Sequence, residues 1–414
     1  MYRSLPLALL LTSCGHREGE PPGKLSASAL ARDTSPSTEG VEAVTAGNRA
    51  FALDLYGQLK SGDTNLFYSP WSITTALALA WAGAEGQTEE AMASTLHFGL
   101  SEAEVHEALN AIDLELSSRA PEGAGTLVIR PVNQLFAQVG YDFVPAYLDT
   151  LALNYGAGVR SVDFEANPER TRELVNTWVS EQTEGNIDEL MPPGAVTEST
   201  RLVLVNAVYF LASWSLPFAE GNTADRPFDL LGGERVQAPT MYASELPVRY
   251  AAGDRWQLIE LGYSGEQLAC ALLVPDAGRF TEVEDQLDAD FFDAAVDALE
   301  PGEANVTMPK FELRSELDLQ PPLRALGMGA AFDGGDFSGM TTSEGLSISG
   351  VHHEGWVSVN EAGTEAAAAT SVESSDSALP DRIEMVIDRP FIMVLRDRPT
   401  GEVLFVGRIM DPRG

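Results

Sequence analysis

The segment that most narrows the folds open to this chain is Val359-Asn360-Glu361-Ala362-Gly363-Thr364-Glu365-Ala366-Ala367-Ala368-Ala369-Thr370. In an extended chain alternate side chains share a face, so Thr364, Ala366, Ala368 and Thr370 fall together and Glu365 falls opposite. A loop destined to become the middle strand of an existing sheet needs small residues on one face, because that face enters space already surrounded by core. Glu365 falls on the face that stays wet. No proline interrupts Glu361–Leu379, which leaves every amide available to a ladder, and Gly363 frees the pivot. An alanine run alone reads equally well as a helical turn or a linker.

Charge removes several classes of partner. Asp and Glu number 62 against 26 Lys and Arg, and the formal net charge of −36 is spread along the chain. Such a polyanion repels nucleic acid and anionic lipid. The stretch Ser101–Ser118 reads as a surface helix carrying Glu102, Glu104, Glu107, Asp113 and Glu115. It offers sulfated polysaccharides no basic groove, so neither nucleic acid nor heparin is expected as a partner. With 44% hydrophobic residues among 414, the chain can bury one large core or two ordinary ones.

The two cysteines, Cys14 and Cys270, belong to no closely spaced set that would hold zinc or a disulfide framework. Cys270 lies in the apolar run Leu268–Val274 and reads as a small buried hydrophobe. Cys14 ends the sequence Leu11-Thr12-Ser13-Cys14, which follows Arg3 and the apolar Leu5–Leu11 and resembles a bacterial lipobox. The apolar run is far too short to span a bilayer. Residues 1–13 are therefore expected to be a lipoprotein-type signal peptide and Cys14 its lipidation site, which places the protein outside the cytoplasm on a bacterial membrane or cell surface. An ordinary secretory signal is the alternative and also exports the chain. Residues 14–46, rich in Gly, Pro, Ser, Thr and Ala, are expected to form a flexible linker, with one domain over 47–414.

Within that domain Phe51, Leu55 and Leu59 recur at helical spacing, and Trp71 through Ala82 reads as a buried, Ala- and Leu-rich helix. Pro168 opens another helix, with Leu174, Val175, Trp178 and Val179 as its apolar stripe. Leu127–Ile129 and Leu202–Phe210 are strand-like. Met385–Arg396 and Val403–Met410 are expected to pair as a buried hairpin whose turn carries Pro399 and Gly401. Helices early and strands late imply an α+β architecture with large sheets.

Several separated segments together resemble the serpin family of serine protease inhibitors, from about Asn48 to the end. Asn65-Leu66-Phe67-Tyr68-Ser69-Pro70-Trp71-Ser72-Ile73 is similar to the family's entry into the helix behind its main sheet. Asn206-Ala207-Val208-Tyr209-Phe210, with Trp214 and Phe218, resembles its asparagine and tryptophan strand motif, although Leu211 stands where the family often has lysine. Met308-Pro309-Lys310-Phe311, Leu326-Gly327-Met328 with Phe332, Ile387-Asp388-Arg389-Pro390-Phe391-Ile392-Met393, and Phe405-Val406-Gly407 with Pro412 look like further family segments. The run Glu361–Thr370 resembles the hinge of inhibitory members, with Glu361, Gly363, Thr364, Glu365, Ala366, Ala367, Ala368, Ala369 and Thr370 as its residues.

The resemblance implies a fold of large mixed sheets with about eight or nine helices, an exposed reactive-centre loop and a metastable native state. A target serine protease, or alternatively a cysteine protease, attacks the loop, and the acyl-enzyme is trapped when the cut loop inserts into the main sheet. Counting forward from the hinge places the reactive bond at Ser377-Ala378, and counting back from Pro390-Phe391 points to Leu379-Pro380. Ser377-Ala378 is preferred, because a proline after the scissile bond is poorly accepted by most serine proteases. Such a bait suits a serine protease with a small or apolar specificity pocket, elastase- or subtilisin-like, and Arg382 lies late for a trypsin-like one. Motif matching assigns Ser69, Ser72, Asn206 and His353 to the polar group beneath the centre of the sheet, and Trp214 to the place where insertion begins. A monomer is expected, with membrane contact only through the lipid.

Two rivals remain at this stage. An enzyme is disfavoured, since the chain has no His-Glu-x-x-His, Gly-x-Ser-x-Gly, phosphate loop or Cys-x-x-Cys. The adjacent His352 and His353 would point to opposite faces of a strand, so no catalytic residue, metal or cofactor is expected. A non-inhibitory serpin acting as a binding or chaperone-like protein shares the fold, and only the hinge separates it from an inhibitor.

Overall fold

The computed structural model describes residues 22–120, 125–343, 345–364 and 382–414. Among them are eight helices: α1 Val41–Leu59, α2 Pro70–Trp81, α3 Gly86–Thr95, α4 Glu102–Ser117, α5 Pro145–Tyr155, α6 Pro168–Gln182, α7 Phe280–Glu284 and α8 Ala289–Asp297. A bent helical stretch over 320–332 adds a ninth, within the range the sequence led us to expect. Local chemistry fixes several starts. Ser69 caps α2 by accepting from the Ser72 amide, with Pro70 in the first turn where its missing N–H is harmless. Ser101 and Glu104 form a capping box on α4.

Among the described residues the strands are β1 Lys24–Ser26, β2 Leu66–Tyr68, β3 Leu127–Gln138, β4 Val159–Val162, β5 Leu202–Ser213, β6 Ala224–Asp229, β7 Arg235–Gly253, β8 Trp256–Gly262, β9 Leu268–Pro275, β10 Glu300–Pro309, β11 Phe311–Asp318, β12 Ile348–Asn360, β13 Gly363–Thr364, β14 Ile383–Val386, β15 Phe391–Asp397 and β16 Val403–Ile409. They form two sheets. The first has the order β1-β4-β3-β5-β13-β12-β11, and the second runs β14-β10-β7-β8-β9-β15-β16-β2 with β6 beside β7. Strand alternation divides the first sheet's side chains between two cores. Leu135, Leu204, Val208 and Phe210 face the large core shared with α1, α2 and the second sheet. Val132, Phe136, Val203 and Val205 face a smaller core capped by Val175, Trp178 and Val179 of α6 and by Ile187, Leu190 and Met191. Around β3 and β5 the first sheet is therefore buried on both sides.

Three sequence expectations need correction. The linker drawn over 14–46 is too long: Lys24–Ser26 already pairs with β4, Ser28 donates to Asp149 at 2.5 Å, and the Asp33 amide donates to the Leu153 carbonyl at 2.8 Å. Few large apolar residues suffice here because the ladder and polar side chains hold the segment, and Gly158 leaves room for it, since a Cβ there would lie 2.5 Å from the Ser26 carbonyl oxygen. The C-terminal hairpin is also shorter than expected. Its first arm starts at Phe391, because Pro390 cannot donate to a ladder, and Met385 belongs to β14, which runs parallel to β10. Finally, Leu174 is exposed, and the buried stripe of α6 passes through Thr171, Val175, Trp178 and Val179.

Candidate functional site

The strands β5 and β12 run parallel and pair directly from Leu202 to Val208 and from Ile348 to Gly355. Beyond Gly355 they part. At the far end β13 lies between them, with Gly363 opposite Ser213 on one side and Asn360 on the other, and Thr364 opposite Ala212 and Val359. After a bulge between Ile348 and Gly350, the offset between β5 and β12 stays at 147 positions, both for Asn206 with His353 and for Ser213 with Asn360. Separation is thus purely lateral, without slip.

Only glycine fits at the point of entry. Gly363 has φ of 153°, and a Cβ there would lie 2.1 Å from the Ala212 carbonyl oxygen. The next side chain, Thr364, is fully buried and shares a hydrogen bond with the Tyr263 hydroxyl at 2.8 Å. Burial pushes the Tyr263 phenol well up, so it stays a neutral partner. Trp214 stacks on Tyr263 with ring centroids 4.7 Å apart. It also grips the hinge: its backbone N–H donates to the Ala362 carbonyl and its indole N–H to the Asn360 carbonyl, each at 3.0 Å. Glu361 is held by Lys310 at 2.8 Å and by the Thr223 hydroxyl at 2.6 Å. Partial burial pushes its carboxyl up, but those two partners outweigh it and hold the group below its usual value.

Midway along the seam the inward side chains are polar. His353 on β12 bonds Asn206 on β5 across the junction through Nδ1, and its Nε2 accepts from the Ser69 amide at 3.1 Å. This places the imidazole proton on Nδ1. Asn206 donates to Ser72 at 2.5 Å, and the Ser69 hydroxyl donates to the Leu404 carbonyl at 2.6 Å. Complete burial pushes His353 down to about 3, so it is neutral. The motif residues Ser69, Ser72, Asn206 and His353 therefore meet in one cluster, and Trp214 lies at the open end of the seam. The outward face of β12 carries His352 and Glu354, whose Nε2 and Oε2 lack hydrogen-bond partners. Burial pushes Glu354 up to about 7 against the opposing pull of Arg314.

Sequence reasoning missed Asn133, Tyr263, Thr223 and Lys310. Asn133 was detectable, since it lies at the same inward parity as Leu135 and Ala137 on β3, where a polar residue needs a partner. The others join the hinge only through tertiary folding. Cys270 is buried and unpaired, and burial raises its thiol. No group of three or more His, Cys, Asp or Glu is placed to hold a metal among the described residues. Cys14, the hinge from Glu365 to Thr370, and Ser377, Ala378 and Leu379 lie outside the described residues.

A family model described as serpin, serine protease inhibitor, matches residues 46–412. The chain belongs to the serpin family. Among its relatives, the leukocyte elastase inhibitor of Sus scrofa is 35% identical over 383 residues, covering 90% of this chain and all of that protein. An uncharacterized serpin-like protein of Thermococcus kodakarensis is 37% identical, covering 88% and 84% of the two chains. Among solved structures, human thyroxine-binding globulin aligns with a TM-score of 0.81 at 27% identity, over 90% of this serpin and all of that chain. Uncleaved ovalbumin gives 0.80 at 25%, over 89% and 100%.

Proposed function

We propose that this serpin is a suicide-substrate inhibitor of serine endopeptidases. The observation that carries the reading is the entry of Gly363 and Thr364 into the seam between β5 and β12, in register with both. If the inserted loop continued that register, the following residues would serve as filler for the seam: Ala366 would fall between Phe210 and Val357, Ala368 between Val208 and Gly355, and Thr370 between Asn206 and His353. Each inward position is small, and the one hydroxyl arrives where the closed seam has its polar pair. Insertion then replaces the His353–Asn206 bond instead of leaving both groups orphaned.

Cleavage of the bait by the protease frees the amino-terminal half of the loop. Fourteen residues, Thr364 to Ser377, extended at ~3.3 Å each carry an attached enzyme roughly 45 Å before deacylation. Misplacing catalytic groups by far less is costly to the rate, which supports trapping. The bait assigned is Ser377-Ala378, with Leu379 as the alternative cut. Arg382 pairs with Glu245 beside β14, which supports its reading as loop base and not as bait. The favoured target has a small or apolar specificity pocket, consistent with the elastase inhibitors among the relatives. We further propose a monomer exported from the cytoplasm and lipidated at Cys14. Residues 15–21 would then span at most about 25 Å between lipid and body.

The test is incubation with pancreatic elastase and with subtilisin, followed by denaturing electrophoresis and sequencing of the released peptide. A complex stable to SDS and a new terminus at Ala378 are expected. Cleavage without trapping would replace inhibition with the binding or chaperone-like role, and a cut after Arg382 would overturn the bait. Cys14→Ser should move the protein from the membrane to the soluble fraction, and an unchanged distribution would rule out the anchor.

A further inference from the structure

A second site lies at the amino-terminal end of α4, where an open cavity of about 550 Å³ separates its first turns from the last turn of α5 and from the segment preceding α1. Its walls carry three carboxylates from two elements, Asp33, Glu102 and Glu107, and no Lys or Arg pairs with any of them among the described residues. The nearby guanidinium of Arg32 is already committed to Asp113 at 2.7 Å and Asn110 at 2.8 Å.

The independent observation is His106. Its side chain is 98% buried, yet it lines this cavity and its Nε2 has no hydrogen-bond partner. The ring has no freedom to seek one elsewhere. Nδ1 is bonded to the Tyr155 hydroxyl at 2.5 Å, and the ring packs on Trp81 with centroids 5.2 Å apart and meets Tyr155 edge-on. An unpartnered buried nitrogen of this kind is costly unless something occupies the site. Nε2 lies 3.7 Å from Glu102 Oε1, too far for a hydrogen bond. That separation is the base of a triangle whose apex, ~2.8 Å from both atoms, suits an ammonium nitrogen donating to each. Glu102 is 42% exposed and is free to swing aside to admit one.

We propose that this cavity binds an aliphatic polyamine, one ammonium between His106 Nε2 and Glu102 and a second toward Asp33 or Glu107. Anionic ligands are repelled by the three carboxylates. A bare metal ion finds no convergent ligand set there among the described residues. The proposal is independent of protease trapping.

The probe is spermidine, titrated calorimetrically into the full-length protein in 150 mM NaCl, with Mg²⁺ as the competing cation. One saturable site per chain is expected, at least tenfold weaker in His106→Ala. The surface double variant Glu102→Gln/Glu107→Gln should show the same loss without disturbing the core. Asp254→Asn, an exposed carboxylate on the β7–β8 turn, should leave it unchanged. Multi-site heat that vanishes in salt and is equal in all variants would reduce the effect to counterion condensation on a polyanion and overturn the proposal. Displacement of spermidine by equimolar Mg²⁺ would overturn it in favour of a metal site.

Discussion

Replacing His353 with alanine tests the seam directly. Among the described residues the imidazole is the only side chain that bonds both Asn206 of β5 and the Ser69 amide at the start of α2. Its removal leaves a buried N–H and a buried carbonyl oxygen without partners, at about 1–3 kcal/mol each, so a loss of about 2–6 kcal/mol is expected. For a body of residues 46–412 the unfolding entropy is about 0.8 kcal/mol per degree, which converts that loss to a fall in Tm of roughly 3–8 °C. The bond exists only while β5 and β12 touch, so the variant should also convert faster to the self-inserted form. Each ~1.4 kcal/mol no longer lost at the barrier raises that rate about tenfold. Scanning calorimetry and native electrophoresis after incubation at 45 °C measure the two effects. The unaltered protein offers an internal control through pH. His353 is depressed to about 3 from an unfolded value near 6.5, so its contribution is complete above pH 6.5 and is lost as pH falls toward 3, where protonated Nε2 no longer accepts from Ser69. A variant with Tm within 1 °C of the parent and unchanged conversion would refute the view that this cluster locks the seam.

Two further outcomes are expected. Gly363→Ala should expel the hinge, because its Cβ meets the Ala212 carbonyl, and hydrogen exchange at the Trp214 amide should accelerate at least tenfold; unchanged protection would contradict a tight entry point. Glu402 is fully buried against Asn48, and burial pushes it up to about 8, so its favourable contribution is complete below its unfolded value near 4.5 and is lost as pH rises through 8. Glu402→Gln should therefore flatten the Tm between pH 5 and 9, where the parent drops by about 3 °C or more; parallel profiles would show that the carboxyl does not titrate there.

The α+β class and the strand character of Leu202–Phe210 were legible because apolar spacing and branched side chains are local properties, whereas the polar group on the seam came from the family resemblance. Ser69 and His353 are 284 residues apart, and only the family resemblance brought them together in advance. Tyr263 gave no signal, since a tyrosine in a strand-rich stretch is unexceptional until Thr364 docks on its hydroxyl. The early residues misled for a physical reason. Composition near Lys24 shows too little apolar surface to fold, whereas an edge strand borrows its order from β4 and needs almost none.

A seam whose two edges part to take a third strand at one end recognises peptide backbone there, and backbone is common to all proteins. Only the inward alternate positions discriminate, and they ask merely for small side chains. On the proposed mechanism the tethered segment wins because its effective concentration is about millimolar, so the advantage shrinks as other extended chains approach that level. Crowded stocks of this protein are therefore their own most abundant source of competing strands, and dilution during refolding protects the uncut form.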